Sequence, residues 1–265
     1  MDLKKGGFCQ NPMNFPSEVN NLQNINPLDP ILASFYNTIF LTRLALKGKA
    51  AVFSYLGGPF TIFAYMVEKS RSGLLETTKK WIYNQTEESH KILEFLNENL
   101  YIHTVEQIKA GAQIIGIFEV FTDLIAEDFN FLSYYYLKKL ILRVKKEFPQ
   151  VPIIIYAKGQ NAFMKKKLKE AEKDEDLPFD GIILDHNCDL EEMSELCEKK
   201  HKVIVGNLDP GVLMGSEKII QEKTEKMIKK GRKCKRFVAG VGQGLFEEID
   251  PQKVGFFVET IKNFK

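Results

Sequence analysis

Two spacings alternate along the chain. Short runs of β-branched and aromatic residues, apolar on both sides, are followed by longer stretches in which apolar positions recur every three or four residues. The first spacing marks buried strands and the second amphipathic helices. Strand-like runs fall at Ala51 to Leu56, then at AQIIGIFE (112–119), VPIIIYA (151–157), DGIILD (180–185), KVIVGN (202–207) and RFVAGV (236–241). Helical spacing runs from Asp29-Pro30 to near Gly48, and from near Leu74 to Lys109 as more than one helix, closing at Gly111. It returns near 132–147, 161–173, 189–200, 216–231 and 251–263. Six strands alternating with helices predict an α/β domain with a parallel sheet, either doubly wound or closed as a barrel. Strands apolar on both faces fit a sheet covered by helices. A barrel takes about eight strands, so two are wanting. Residues 1–27, polar and rich in Asn, Pro and Gly, cannot supply them and read as an extended or poorly ordered leader.

The most informative stretch is AAVFSYLGGPFTIFAYMVEKS (50–70), where the first strand feeds a helix. Gly57 and Gly58 permit a tight bend, and Pro59 presets φ for the first helical position. The opening amides, around Thr61, lack acceptors inside the helix and are set to receive an anionic group. Tyr65 follows about one turn later and can aim its hydroxyl at the same corner. Two readings stand: a carboxylate site with a phenol beside it, or a tight βα turn with a core tyrosine. Asp29, Asp209 and Asp250 each precede a proline and a helical pattern, and read as helix caps.

Composition narrows the function classes. A hydrophobic content of 44% and a charged content of 27% are ordinary for a globular protein. The net charge of +2 implies no general nucleic-acid surface, and the lysines are interspersed with glutamates as on solvated helix faces. Cys9, Cys188, Cys197 and Cys234 show no paired spacing, which fits reduced thiols. No apolar run reaches the roughly 20 residues of a membrane span. Gly240-Val241-Gly242-Gln243-Gly244 is one residue short of a dinucleotide-binding glycine motif, and its helix begins only after Asp250. His186-x-Cys188 and Cys197-x-x-x-His201 have the look of zinc ligands, but an intervening helix separates the pairs to its opposite ends. His90 and His103 lie in a helical pattern and read as surface or interface residues.

The order of the motifs says more than any one of them. Y-L-G-G-P-F-T with Y-M-V-E, A-G-A-Q with F-E, P-I-I-I-Y-A-K, G-N-L-D-P, and G-Q-G-L with I-D-P together resemble the uroporphyrinogen decarboxylase family from Leu28 to Phe264. GPFTIFAYMVE (Gly58 to Glu68) and GNLDP (Gly206 to Pro210) carry most of that likeness. The resemblance implies a distorted (β/α)8 TIM-type barrel. The six strands are then its third to eighth, residues 28–265 form a partial barrel, and the first two βα units are missing. It also implies a homodimer without cofactor or metal, acting on a tetrapyrrole, uroporphyrinogen, in haem biosynthesis. No nucleic acid or membrane is expected as partner. The expected compartment is the cytoplasm, or a plastid if a leader lies upstream.

The implied reaction protonates a pyrrole carbon, and the resulting cation loses CO2 to restore the aromatic ring. A carboxylate near the pyrrole N–H groups and a positioned acid favour those steps. In the family an aspartate after the second strand and two arginines after the first serve there, so the catalytic residues fall outside this chain. The resemblance assigns substrate contacts to Tyr65, Val120 and Gln243, and pocket walls to Tyr55, Gly57, Phe118 and Lys158. Val120 stands where the family has serine, and Gln243 where it has the histidine of a G-H-G-L turn. Neither replacement carries a titratable group. Two functions follow: a decarboxylase, or a catalytically silent family member acting as a binding or dimerisation partner. Zinc-dependent methyltransferases of the same fold need His-x-Cys where IIYAKGQ stands, and that pattern is absent.

Overall fold

The computed structural model of the protein describes residues 11–68, 74–125, 128 and 130–264. The chain divides into two compact units between Ile153 and Ile154. The first contains α1 (Pro30–Leu46), β1 (Phe53–Gly57), α2 (Pro59–Val67), α3 (Glu76–Asn84), α4 (Thr86–Lys109), β2 (Ile114–Glu119) and α5 (Tyr135–Glu147). Then come β3 (Ile153–Ala157), α6 (Asn161–Glu170), β4 (Gly181–Ile183), α7 (Leu190–Lys199), β5 (Val203–Leu208), α8 (Glu217–Gly231), β6 (Phe237–Val241) and α9 (Pro251–Asn263). All six predicted strands form, in the order β1-β2-β3-β4-β5-β6, with β1 and β6 at its ends. The alternation of parallel strands with helices is the α/β arrangement of a TIM-type barrel short of its full strand number. Among the described residues no helix is long and apolar enough to cross a membrane.

In the first unit α2 is largely apolar because most of it is buried. Phe60, Phe63, Ala64 and Val67 are fully enclosed and pack with Trp81 and Ile82 of α3 and Ile92 and Leu93 of α4. Burying each of these phenylalanines contributes about 1.5–3 kcal/mol. The described part of the leader is not loose. Met13 joins this cluster, its N–H donates to the Met66 carbonyl at 2.8 Å, and the Ile25 N–H donates to Asn99 Oδ1 at 2.7 Å. Residues 11–27, expected as an extended or poorly ordered leader, make these contacts, while residues 1–10 lie outside the described residues. Val19 and Leu22 also pack against the cluster, and their irregular spacing from Met13 leaves no period.

The three Asp-Pro pairs act as caps: Asp29, Asp209 and Asp250 accept from the N–H of Ile31, Gly211 and Gln252. Asp209, however, opens only the short 3-10 helix Pro210–Met214, and α8 has its own cap in Ser216. The long pattern from Leu74 is two helices, as expected, broken between Asn84 and Thr86. His90 and His103 are not free surface groups. Their Nδ1 atoms lie 2.7 and 2.8 Å from the hydroxyls of Tyr136 and Tyr36, tying α4 to α5 and to α1.

Apolar on both faces does not mean covered on both. Along β1, Ser54 and Leu56 are buried, whereas Phe53 and Tyr55 on the other face remain 44% and 68% exposed. In β6 the apolar Val238 is likewise 49% exposed. Helices cover one face of these strands; the opposite face, apolar in the sequence, is left open.

Candidate functional site

The corner after β1 is built as read, but its anion is internal. Glu119, the last residue of β2, is fully buried and its carboxylate fills the first turn of α2. Oε1 accepts from the Phe60 N–H at 3.0 Å and the Ser133 hydroxyl at 3.0 Å. Oε2 accepts from the Thr61 N–H at 2.7 Å and the Thr61 hydroxyl at 2.6 Å. The amides expected to await a substrate carboxylate are thus already paired, which corrects that reading. The helix terminus needed an acceptor, and the neighbouring strand supplies one. Burial pushes the Glu119 carboxyl above its ordinary value, and the bonds from Thr61, Phe60 and Ser133 pull it back. Two of the four donors are backbone amides, which suit the ionised form.

Gly58 makes this possible. A methyl at its Cα would stand 2.3 Å from Glu119 Cδ, so only glycine lets the strand end approach the corner. Gly57 lies close to α2, where an added Cβ would meet Ile62 Cδ1, the flexible end of a side chain, at 2.7 Å. The Thr61 hydroxyl also accepts from the Val120 N–H at 3.0 Å. Val120, placed by the resemblance at a substrate contact, is therefore held by its backbone.

On the open face of β1 and β2 the aromatic residues gather. Tyr55 and Phe118 meet edge to face with ring centroids 5.9 Å apart. Gly116, paired with Tyr55 across the ladder, leaves room for the rings of Phe53 and Phe118, whose atoms would lie 2.8 and 2.9 Å from an added Cβ. The result is a wall of exposed aromatic edges on a glycine floor. Tyr65 is 38% exposed and stands edge-on to Phe121, with centroids 5.3 Å apart. Tyr55 also borders a cleft of about 270 Å³ between α1 and β1, with Phe35 and Phe53.

In the second unit the strand ends are laced together by Asp185, a residue that sequence reasoning passed over. Its carboxylate accepts from the Gly159 N–H at 3.1 Å, Asn161 Nδ2 at 2.8 Å and the Asn187 N–H at 2.9 Å. Asn207, at the end of β5, donates through Nδ2 to the carbonyls of Asp185 and Cys188 at 3.0 and 2.9 Å. Lys158 lies half-buried just beyond β3, and Gln243 half-buried just beyond β6. The Gly242 N–H before it donates to the Leu208 carbonyl at 2.8 Å. The Asp-x-Asn spacing at 185–187 is the usual signature of a side-chain-closed turn and was the available signal for this cluster. The Cys188 and Cys197 thiols, before and within α7, are both pushed up to about 12, chiefly by burial.

A family model described as uroporphyrinogen decarboxylase (URO-D) matches residues 1–264. The chain belongs to this family. Uroporphyrinogen decarboxylase from Rickettsia massiliae is 31% identical over 242 residues, covering 91% of this chain and 67% of the relative. The Schizosaccharomyces pombe protein of the same name is 29% identical over 268 residues, covering 98% of this chain and 73% of its own. The chain spans 65–67% of the length of the Rickettsia relatives. Among solved structures, a methyltransferase from Methanosarcina mazei superposes with a TM-score of 0.71 over 88% of this chain and 64% of that one, at 17% identity. That likeness is one of fold. The family of carboxy-lyases read from the motif order is borne out, and the match extends past Leu28 to the first residue.

Proposed function

We propose that the chain is part of a decarboxylase that converts uroporphyrinogen to coproporphyrinogen, the function named for its relatives. The observation that carries this reading is sequence similarity over nine-tenths of the chain to proteins of that name, at about 30% identity. The exposed rings of Phe53 and Tyr55, with Phe118 behind them, support it: a flat apolar macrocycle needs an aromatic wall. In this reading Tyr65 donates to a substrate carboxylate, Phe118 and Tyr55 meet the ring, and Gln243 donates where a histidine serves in the family. Lys158 adds positive charge and Val120 a backbone position. The family's arginine clamp and central aspartate have no counterpart assigned among the residues of this chain. The reading further takes the protein as a cytoplasmic homodimer, supported for the compartment by the unpaired Cys188, Cys197 and Cys234.

A second reading, a silent family member that binds a partner, is favoured by Val120 and Gln243, which remove a hydroxyl and an imidazole. Reading the coding sequence upstream separates the two. An arginine-bearing strand followed by one ending in aspartate supports the enzyme; an upstream region lacking both supports the binding partner. With those segments attached, formation of coproporphyrinogen from uroporphyrinogen is the direct assay, and no product would refute the decarboxylase.

A further inference from the structure

The chain has four histidines. His90 and His103 are bonded to tyrosines, and His201 is exposed with φ of 55° just beyond the end of α7. His186 stands apart. It is the second residue of a turn closed by the Cys188 N–H on the Asp185 carbonyl at 3.1 Å, with the Asn187 N–H on Asp185 Oδ1 bracing it at 2.9 Å. Asn207 holds the carbonyls on both flanks, from the end of β5. From the end of β6, Gly242 presses on the peptide, where an added Cβ would stand 2.3 Å from the His186 nitrogen. The backbone of His186 is thereby fixed from two neighbouring strands.

The imidazole is half-buried, and its buried Nδ1 has no hydrogen-bond partner among the described residues. With no acceptor at Nδ1, the ring proton is placed on Nε2. His186 thus offers an Nε2–H donor on a rigid turn at the C-terminal end of β4, where parallel α/β sheets receive ligands. Gln243 is the residue next to Gly242, which presses on the His186 peptide, so two hydrogen-bond donors stand at the ends of β4 and β6. The Asp185 carboxylate beside them already accepts three hydrogen bonds, from Gly159, Asn161 and Asn187. We propose that His186 donates Nε2–H to a carboxylate of the tetrapyrrole, making a contact alongside Gln243. This inference rests on the function proposed above.

The test uses the full chain and uroporphyrin, the stable oxidised octacarboxylate, titrated by fluorescence. His186→Leu is expected to weaken binding about two- to tenfold, the worth of one hydrogen bond. His186→Gln, whose amide nitrogen can replace Nε2, is expected to restore most of it. Long-range proton–nitrogen spectra of the wild-type chain should show His186 as the Nε2–H tautomer, and its Nε2 signal should move when porphyrin is added. Wild-type affinity in a folded His186→Leu variant, an Nδ1–H tautomer, or an unmoved signal would overturn the contact while leaving the proposed function standing. Absence of porphyrin binding by the wild-type chain would overturn this contact, whereas the proposed function is refuted only by the product assay given above. If His186→Leu does not fold, the spectra and His186→Gln decide.

Discussion

Thr61 Oγ1 donates to Glu119 Oε2 across 2.6 Å while accepting the Val120 N–H at 3.0 Å, so one hydroxyl joins the first turn of α2 to the end of β2. Because Thr61 is buried, nothing else replaces either bond. Thr61→Val keeps the shape, removes the donor and leaves the Val120 amide unpaired. The expected cost is on the order of 2–4 kcal/mol, with Thr61→Ser close to wild type. Glu119→Gln puts an amide nitrogen among four donors and should cost at least as much. Urea unfolding of the three variants measures this. A Thr61→Val midpoint equal to that of wild type would mean the corner does not hold the strand.

Two glycines separate a rigid contact from a yielding one. A Cβ at Gly58 would meet the Glu119 carboxyl at 2.3–2.6 Å, and that carboxyl is pinned by its donors. A Cβ at Gly116 would meet the ring atoms of Phe53 and Phe118 at 2.8–2.9 Å, on a face open to solvent. Gly58→Ala is therefore expected to destabilise by about 1–3 kcal/mol or more, as overpacking does. Gly116→Ala should cost less, since the rings can swing outward. Thermal melting ranks the pair, and the reverse order would refute the account.

This contrast also shows what the sequence could convey. The strand count, the Asp-Pro caps and the break within the long pattern after Leu74 were legible because each rests on local spacing or backbone chemistry. The Gly57-Gly58-Pro59 corner was legible as a bend, yet its occupant was not. Glu119 lies 58 positions beyond Thr61, and no local pattern announces that a strand end supplies the helix's anion. Asp185 and Asn207 were read as the last residues of strand-like runs, and the bonds they make across neighbouring elements show only once the strands are side by side. The contacts of the segment after Asn11 were not legible because Met13, Val19 and Leu22 fall at no regular spacing.

Tyr65 offers a test of the assigned substrate contacts. Its ring is partly exposed and stands edge-on to Phe121. Tyr65→Phe should preserve the fold and the ring contact while weakening uroporphyrin binding about two- to tenfold, the effect of one lost hydrogen bond. Tyr55→Ala should weaken it through lost ring contact, with no change in stability beyond about 0.5 kcal/mol, because Tyr55 is largely exposed. If Tyr65→Phe binds as wild type, the tyrosine belongs to packing alone.

The pair of His103 and Tyr36 sets a pH dependence whose sign can be stated. Burial pushes the His103 imidazole below its ordinary value of 6.5, and pushes the Tyr36 hydroxyl up, with Glu106 adding to the latter. The folded chain therefore binds a proton at His103 less readily than the unfolded chain does. Stability from this site is fully present above about pH 6.5 and is lost as pH falls through the lower, folded value. The Tyr36 shift acts only in the alkaline range and leaves this window untouched. In His103→Gln the imidazole is gone, so the acid-side loss at this site should vanish, at the cost of about 1 kcal/mol near neutrality from the weakened bond to Tyr36. Exposed carboxylates titrate alike in both proteins and cancel in the comparison. Unfolding midpoints taken from pH 7.5 to pH 5 should thus fall more steeply for the wild type than for His103→Gln. Parallel slopes would show that His103 takes up its proton in the folded chain as easily as in the unfolded one.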